Sequence, residues 1–425
     1  MVSLLPSSYE NLMGYELSLP SNSSIFQTPK ILSRHNEAAY KPNAFSIGPF
    51  HYGANKQMEA TQKIKLKYLR DLLSRSNNPE ELYSQLTETI RSIQREVRGC
   101  YAGPLESCES CAEEAFVEIL VLDGCFITEL FRKDAKKELR DPDDPIFTIS
   151  YLQEYLNHDL ILLENQIPWM VLERLFSLTK LSPDESLIQL ALDFFGNISS
   201  SNKPSVTPNQ FHEGKIEIKH ILDLLRYSLL LPLSGKFQGE PTGWEPFPCA
   251  TKINEAGITF EKGMAGSILD IKFANGVLKI PPLLIHETTE TILRNLISFE
   301  QCCPNYPPIV TSYAKLMDNL IETGKDVEIL SEKNIIDSWL NPEDTKQFFN
   351  KLYQDTYVKQ FFYHGLCVEV MRHRRQWWPR LRFFYLHNFT SPWAMVSQAV
   401  GAILLILALL QTSYSILGVV GDKKP

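Results

Sequence analysis

"DLILLENQIPWMVLERLF" occupies Asp159 to Phe176. Apolar residues dominate both ends, yet Glu164, Asn165 and Gln166 interrupt the middle with a carboxylate and two amides in succession. Pro168 follows. It has no N–H, so within a helix it cannot bond the carbonyl of Glu164, and it drives Ile167 out of helical angles. The stretch predicts two helices meeting at a break. A break inside a core strands peptide groups, each costing on the order of 1–3 kcal/mol if unsatisfied. Asn165 and Gln166 each bring a donor and an acceptor, and Glu164 accepts from several N–H groups or pairs with a cation. The triplet therefore reads as a buried polar junction that fixes two helices at an angle. The sharper alternative makes Glu164 a general acid or base, with Asp159 or Asp223 as its partner.

Outward from this junction the pattern is mainly helical between about Ala38 and Phe389. In "NPEELYSQLTETIRSIQREVR", Leu82, Leu86, Ile90, Ile93 and Val97 share one face. Asn78 suits the cap and Pro79 the first helical position. "SPDESLIQLALDFFGN" repeats the grammar, with Ser182 as cap, Pro183 as opener and Gly196 near the end. "EEAFVEILVLDGCFITELFRK" is apolar nearly all round and predicts a central buried helix. Surface loops are expected near 197–215 and 232–248, which are rich in Ser, Asn, Pro and Gly. The period then turns strand-like from Thr259 to Ile285, and Asn275-Gly276 is a hairpin signal. The expected fold is mainly α within the α+β class. A flexible segment, 1–37, leads into a large helical domain, 38–389, carrying a small antiparallel β insertion. One transmembrane helix, 390–421, and a short tail, 422–425, complete the chain.

The transmembrane expectation comes from "PWAMVSQAVGAILLILALLQTSYSILGVV", Pro392 to Val420, which has no formal charge. It is longer than the ~20 residues that cross a hydrocarbon core. Just upstream, Arg372, Arg374, Arg375, Arg380 and Arg382 alternate with Trp377 and Trp378. Such a stretch suits anionic lipid, and arginines beside a span favour the cytoplasmic side. The expectation is thus a single-pass protein of the plasma membrane with its large N-terminal domain facing the cytoplasm. Ser397 and Gly401, four apart, hint at a homo-oligomer formed through that helix. A net charge of −8 over 425 residues, with no general basic excess, argues against nucleic acid as a partner.

Little in the chain speaks of catalysis. No phosphate loop, dinucleotide fingerprint, nucleophile elbow or zinc-protease motif is present. Cys108 and Cys111 have metal-ligand spacing, but no second such pair exists, so no metal and no cofactor are expected. His220, Asp223 and Arg226 recur at helical spacing and share a face. They either line a polar pocket with Glu164 or form an ion-pair network bracing the core.

Several phrases, in order, carry a resemblance. They include "AFSIGPFHYG" from Ala44, "LDGCFITEL" from Leu122, the opening stretch, "HILDLLR" from His220, "ILDIKFANGVLKIP" from Ile268 and "SPWAMVSQAVGAILL" from Ser391. From about Ala44 to Tyr414 the chain resembles the plant domain-of-unknown-function family 247. That resemblance implies a plant membrane protein without established activity. Some family members are linked to self-incompatibility in grasses, which implies recognition or signalling as a class. It implies no catalytic residues. The expected function is therefore recognition of a protein partner through the loops around Ser199–Phe211 and Pro232–Pro248. The alternatives are an enzyme of unrecognised type, with a pocket at Glu164, His220, Asp223 and Arg226, and a structural membrane adaptor.

Overall fold

A computed structural model describes residues 23–53, 58–103, 113–196, 206–233, 246–264, 266–375 and 392–421. Its first half is organised by one helix, Glu113–Ala135. The helices Glu59–Ser74, Pro79–Gly99, Trp169–Leu178 and Leu187–Phe195 all pack against it. Its apolar residues explain the burial, yet Asp123, Glu129, Arg132 and Lys133 are buried there too. Each has a partner. Asp123 meets Lys65 at 2.5 Å, Glu129 meets Arg75 at 2.7 Å, Arg132 meets Glu185 at 3.2 Å, and Lys133 meets Asp71 at 2.7 Å. A buried charge is tolerated only when paired and hydrogen-bonded.

Local signals set most helix starts. Asn78 accepts from Glu81 N and caps Pro79–Gly99, with Pro79 in the first turn. The helix expected to begin at Ser182 starts one turn later. Ser186 is its cap, because Glu185 is drawn inward to Arg132 and its carboxylate accepts from Leu181 N at 3.1 Å. In the second half, Glu287–Cys302 packs against Ile221–Leu230, Ile309–Leu320 and Pro342–Tyr353.

Among the described residues three small sheets fasten distant segments. Thr259–Lys262 pairs in parallel with Val277–Ile280, which forms an antiparallel hairpin with Lys272–Ala274. The turn residues Asn275 and Gly276 have φ of 53° and 78°, the left-handed pair that a tight hairpin demands. The insertion is therefore mixed rather than antiparallel. Leu283–Ile285 leaves it to pair in parallel with Ile336–Ser338, a partner invisible to local pattern. Ile25–Phe26 pairs in parallel with Tyr101–Ala102. The flexible lead-in over 1–37 is thus corrected from Ser24 onward, since Ser24 and Ile25 are buried.

The C-terminal expectation is corrected as well. Pro392–Gly421 is helical, and the residues described in it, Val396, Ser397, Val400, Gly401 and Ile403–Tyr414, are exposed. Among the described residues no helix is long and apolar enough to cross a membrane. The single-pass span is therefore not supported. Arg372, Arg374 and Arg375 belong to the helix His364–Arg375, whose His373 ring packs on Phe273 of the hairpin at 5.5 Å. Arg380 and Arg382 lie outside the described residues.

Close approach at the central helix is testable. A Cβ on Gly124 would sit 2.4 Å from Leu175 Cδ1, in a fully buried contact. Gly124→Val should lower stability by about 1–3 kcal/mol through overpacking, and Leu175→Ala should relieve part of that loss. Urea denaturation of both singles and the double checks this. An unchanged midpoint for Gly124→Val would refute the tight crossing.

Candidate functional site

The chain between Leu160 and Trp169 is not helical, and it separates the helices Ser150–Leu160 and Trp169–Leu178. Asn165 is buried in this break. Its Oδ1 accepts from Ile47 N at 2.7 Å, and its Nδ2 donates to Phe45 O and Asp159 O, both at 2.9 Å. Gln166 Nε2 donates to Leu160 O at 2.7 Å and Leu162 O at 2.8 Å, while its Oε1 accepts from Leu222 N at 3.3 Å. Glu164 Oε1 accepts from Thr28 N at 2.8 Å. His51 Nε2 stands 3.2 Å from Glu164 Oε2, close as an ion pair but not aligned for a hydrogen bond.

The junction also holds the "AFSIGPFHYG" segment. Asp159 accepts from Asn43 N, Ala44 N and Phe45 N at 2.7–2.8 Å. Asp123 accepts from Gly48 N at 2.8 Å, and Lys65 donates to both Asp123 and Ser46 O. Burial pushes the Asp123 carboxyl up, and the Lys65 ammonium and Gly48 N–H oppose that. Gly48 has φ of 70°, and a Cβ there would lie 2.6 Å from Gln166 O. Only glycine allows this approach of two backbones. From the far side Asn295 accepts from Leu163 N at 2.9 Å and donates to Ala39 O at 2.7 Å. The sequence reading missed Asp123, Lys65 and Asn295, because each is distant in the chain and sits in an otherwise ordinary helix.

His220, Asp223 and Arg226 lie on Ile221–Leu230 or at its cap, and no bond joins any of them to Glu164. His220 Nδ1 accepts from Asp223 N at 3.2 Å, and Nε2 faces Ser24 O at 3.0 Å. Those two bonds require a neutral ring protonated at Nε2. Burial pulls its pKa down to about 3. Asp223 Oδ2 accepts from Lys219 N at 3.0 Å, but its buried Oδ1 has no partner. Burial pushes its pKa up to about 7. Arg226 Nε donates to Glu300 at 3.1 Å and Nη2 to Pro307 O at 2.7 Å. Glu300 in turn accepts from Val310 N and Thr311 N, capping Ile309–Leu320.

Among the clefts formed by the described residues are two that none of Glu164, Asn165, Gln166, His220, Asp223 and Arg226 lines. The larger is about 850 Å³. It lies just outside the junction, lined in part by Asn36, Ala39, Asn43, Glu154, Tyr155, His158, His286, Glu290 and Trp339. His158 Nδ1 lies 2.9 Å from Asp159 Oδ1, so the junction carboxylate reaches the cleft wall. Trp339 is 82% exposed and Tyr155 45%. Among the described residues no cluster of His, Cys, Asp and Glu is placed to hold a metal ion. Burial pushes the Cys100 thiol up to about 11 and Cys125 to about 12, while Cys108 and Cys111 lie outside the described residues.

A helical α+β body whose buried polar side chains secure backbone, with an aromatic cleft beside them, defines the class of protein. The chain belongs to the domain-of-unknown-function family 247, described as "Plant protein of unknown function", whose model matches residues 25–407. It is 27% identical to the UPF0481 protein At3g47200 of Arabidopsis thaliana, over 94% of this chain and 87% of that one. It is 20% identical to the putative UPF0481 protein At3g02645 of the same plant, over 91% of this chain and 89% of that one. No solved structure matches the chain.

Replacing Asn165 by leucine strands Ile47 N, Phe45 O and Asp159 O together. Asn165→Leu should cost roughly 2–5 kcal/mol in urea denaturation. A loss below ~1 kcal/mol would mean that the break relaxes to find other partners. The capping pair predicts a pH signature. Between about pH 3 and 6.5 the unfolded chain holds a proton on His220 that the folded chain refuses, so that stability fades as pH falls. Between about pH 3.8 and 7 the folded chain holds a proton on Asp223 that the unfolded chain has released, so that stability fades as pH rises. The two slopes oppose each other. Asp223→Asn should therefore lose stability on acidification from pH 7 to 4 more steeply than the natural chain, by up to about 1.4 kcal/mol per pH unit. Parallel profiles would show that Asp223 is ionised in the folded protein.

Proposed function

We propose that this plant protein is a recognition module that binds a polypeptide partner at the cleft beside the junction, and that it signals through that binding. The observation that carries this reading is Trp339, 82% exposed at a cleft of about 850 Å³. Large exposed aromatics are frequent anchors of protein interfaces. The walls support it, because they are pre-set. Asn295 fixes Ala39, Asp159 fixes Asn43, and Leu340 N donates to Ser338 Oγ at 3.1 Å beside Trp339. Rigid walls lower the entropic cost of binding. The enzyme alternative draws no support from Glu164, His220, Asp223 and Arg226, which bond to structural partners away from both clefts.

The test is selection of a random peptide library displayed on phage against the full chain, with Trp339→Ala in parallel. The natural chain should enrich a family of peptides that Trp339→Ala no longer retains. No enrichment over the bare matrix, or equal enrichment by the variant, would remove the reading.

A further inference from the structure

The charges around the cleft are one-sided. The charged side chains on its wall are Glu154 and Glu290, joined by His158 and His286, and among the described residues no lysine or arginine lines it. Glu290 is already engaged, meeting Arg294 Nε at 2.7 Å and Asn36 Nδ2 at 2.9 Å. Lys41, in the neighbouring loop, turns to Glu37 at 3.4 Å. Glu154 is exposed and has no cation paired to it among the described residues. The exposed rings of Tyr155 and Trp339 line the same cleft. A carboxylate without a cation partner and exposed aromatic faces in one cleft are the chemistry that receives a cation. The ring faces attract it through their quadrupoles, and the carboxylate supplies a charged hydrogen bond.

We infer that the partner segment entering this cleft carries a lysine or arginine, whose cation seats against the Trp339 and Tyr155 rings and the Glu154 carboxylate. The inference rests on the peptide-binding reading and adds the charge class of the partner. The backbone supports the geometry. Trp339 follows the strand Ile336–Ser338 and precedes the Asn341 cap, where Oδ1 accepts from Asp344 N at 2.8 Å. The His286 ring lies 6.4 Å from Trp339 and backs it on one side. Tyr155 and Glu154 lie on the helix Ser150–Leu160, whose C-terminal Asp159 is bound into the junction. Both halves of the cation seat are therefore mounted on anchored elements.

Three dye-labelled dodecapeptides serve as probes against the full chain in fluorescence anisotropy. One alternates lysine and arginine with glycine, one replaces the cations by glutamate, and one by serine. The basic peptide should bind, and the other two should not. Trp339→Ala and Glu154→Gln should each weaken binding about 3- to 30-fold. Glu118→Gln, which removes an exposed carboxylate on the Glu113–Ala135 helix, should leave it unchanged. Because all three positions are exposed, circular dichroism of each variant should match the natural chain. Equal loss in Glu118→Gln, or none in the cleft variants, would assign the binding to the overall charge of −8 and overturn the inference. Tighter binding of the serine or glutamate peptide would also overturn it. Enrichment of neutral or acidic peptides in the phage selection would leave the recognition reading standing and remove the cation alone.

Discussion

The structure depends on hydrogen bonds made by side-chain amides and carboxylates to backbone that has left secondary structure. At Asn165 one amide joins three places in the chain: the carbonyl of Phe45, the N–H of Ile47 and the carbonyl of Asp159. A helix broken by Pro168 leaves peptide groups in a core from which water is excluded. Each needs a partner there, because a buried orphan costs about as much as several surface contacts supply. Asp159, Asn165, Gln166, Asp123 and Asn295 answer that need together. The two halves of the helical body are therefore joined by polar bonds as well as by apolar packing.

The same economy accounts for the side chains that the sequence offers as a possible polar pocket. Glu164, His220, Asp223 and Arg226 are the residue types of acid–base catalysis, but the hydrogen bonds they make go to structural partners, Thr28, Ser24, Lys219, Glu300 and Pro307. His220 is held neutral by burial, and the unpartnered Oδ1 of Asp223 fits a carboxyl whose pKa is raised to about 7. Perturbed titration marks functional sites often, but it marks buried structural networks too. Here the perturbed groups face protein, and the open surface belongs to Tyr155 and Trp339.

Anchoring and exposure meet at the cleft. Its walls come from the segment around Asn36–Asn43, the helix Ser150–Leu160, the start of Glu287–Cys302 and the turn at Trp339. Three of these are tied to the junction through Asp159 and Asn295. A disturbance at the break would therefore be felt at the cleft, through Asp159 and its neighbour His158.

By itself the sequence determined what is local. The break at Pro168, the Asn78 cap, the burial of Glu113–Ala135 and the Asn275-Gly276 turn all follow from single-residue backbone chemistry and hydrophobic period. The family was legible too, from phrases in order along the chain. Tertiary structure decided whatever depends on contact across long separations. The parallel pairing of Leu283–Ile285 with Ile336–Ser338 has no local signature, and neither does that of Ile25–Phe26 with Tyr101–Ala102. The partners of Asp123 and Asn295 could not be named from spacing, because a buried amide or carboxylate looks the same in sequence whatever it bonds. Trp339 shows the limit best. Its neighbours in sequence say nothing of a cleft, which exists only because segments about 300 residues apart, Asn36 and Trp339 among them, are brought to one surface.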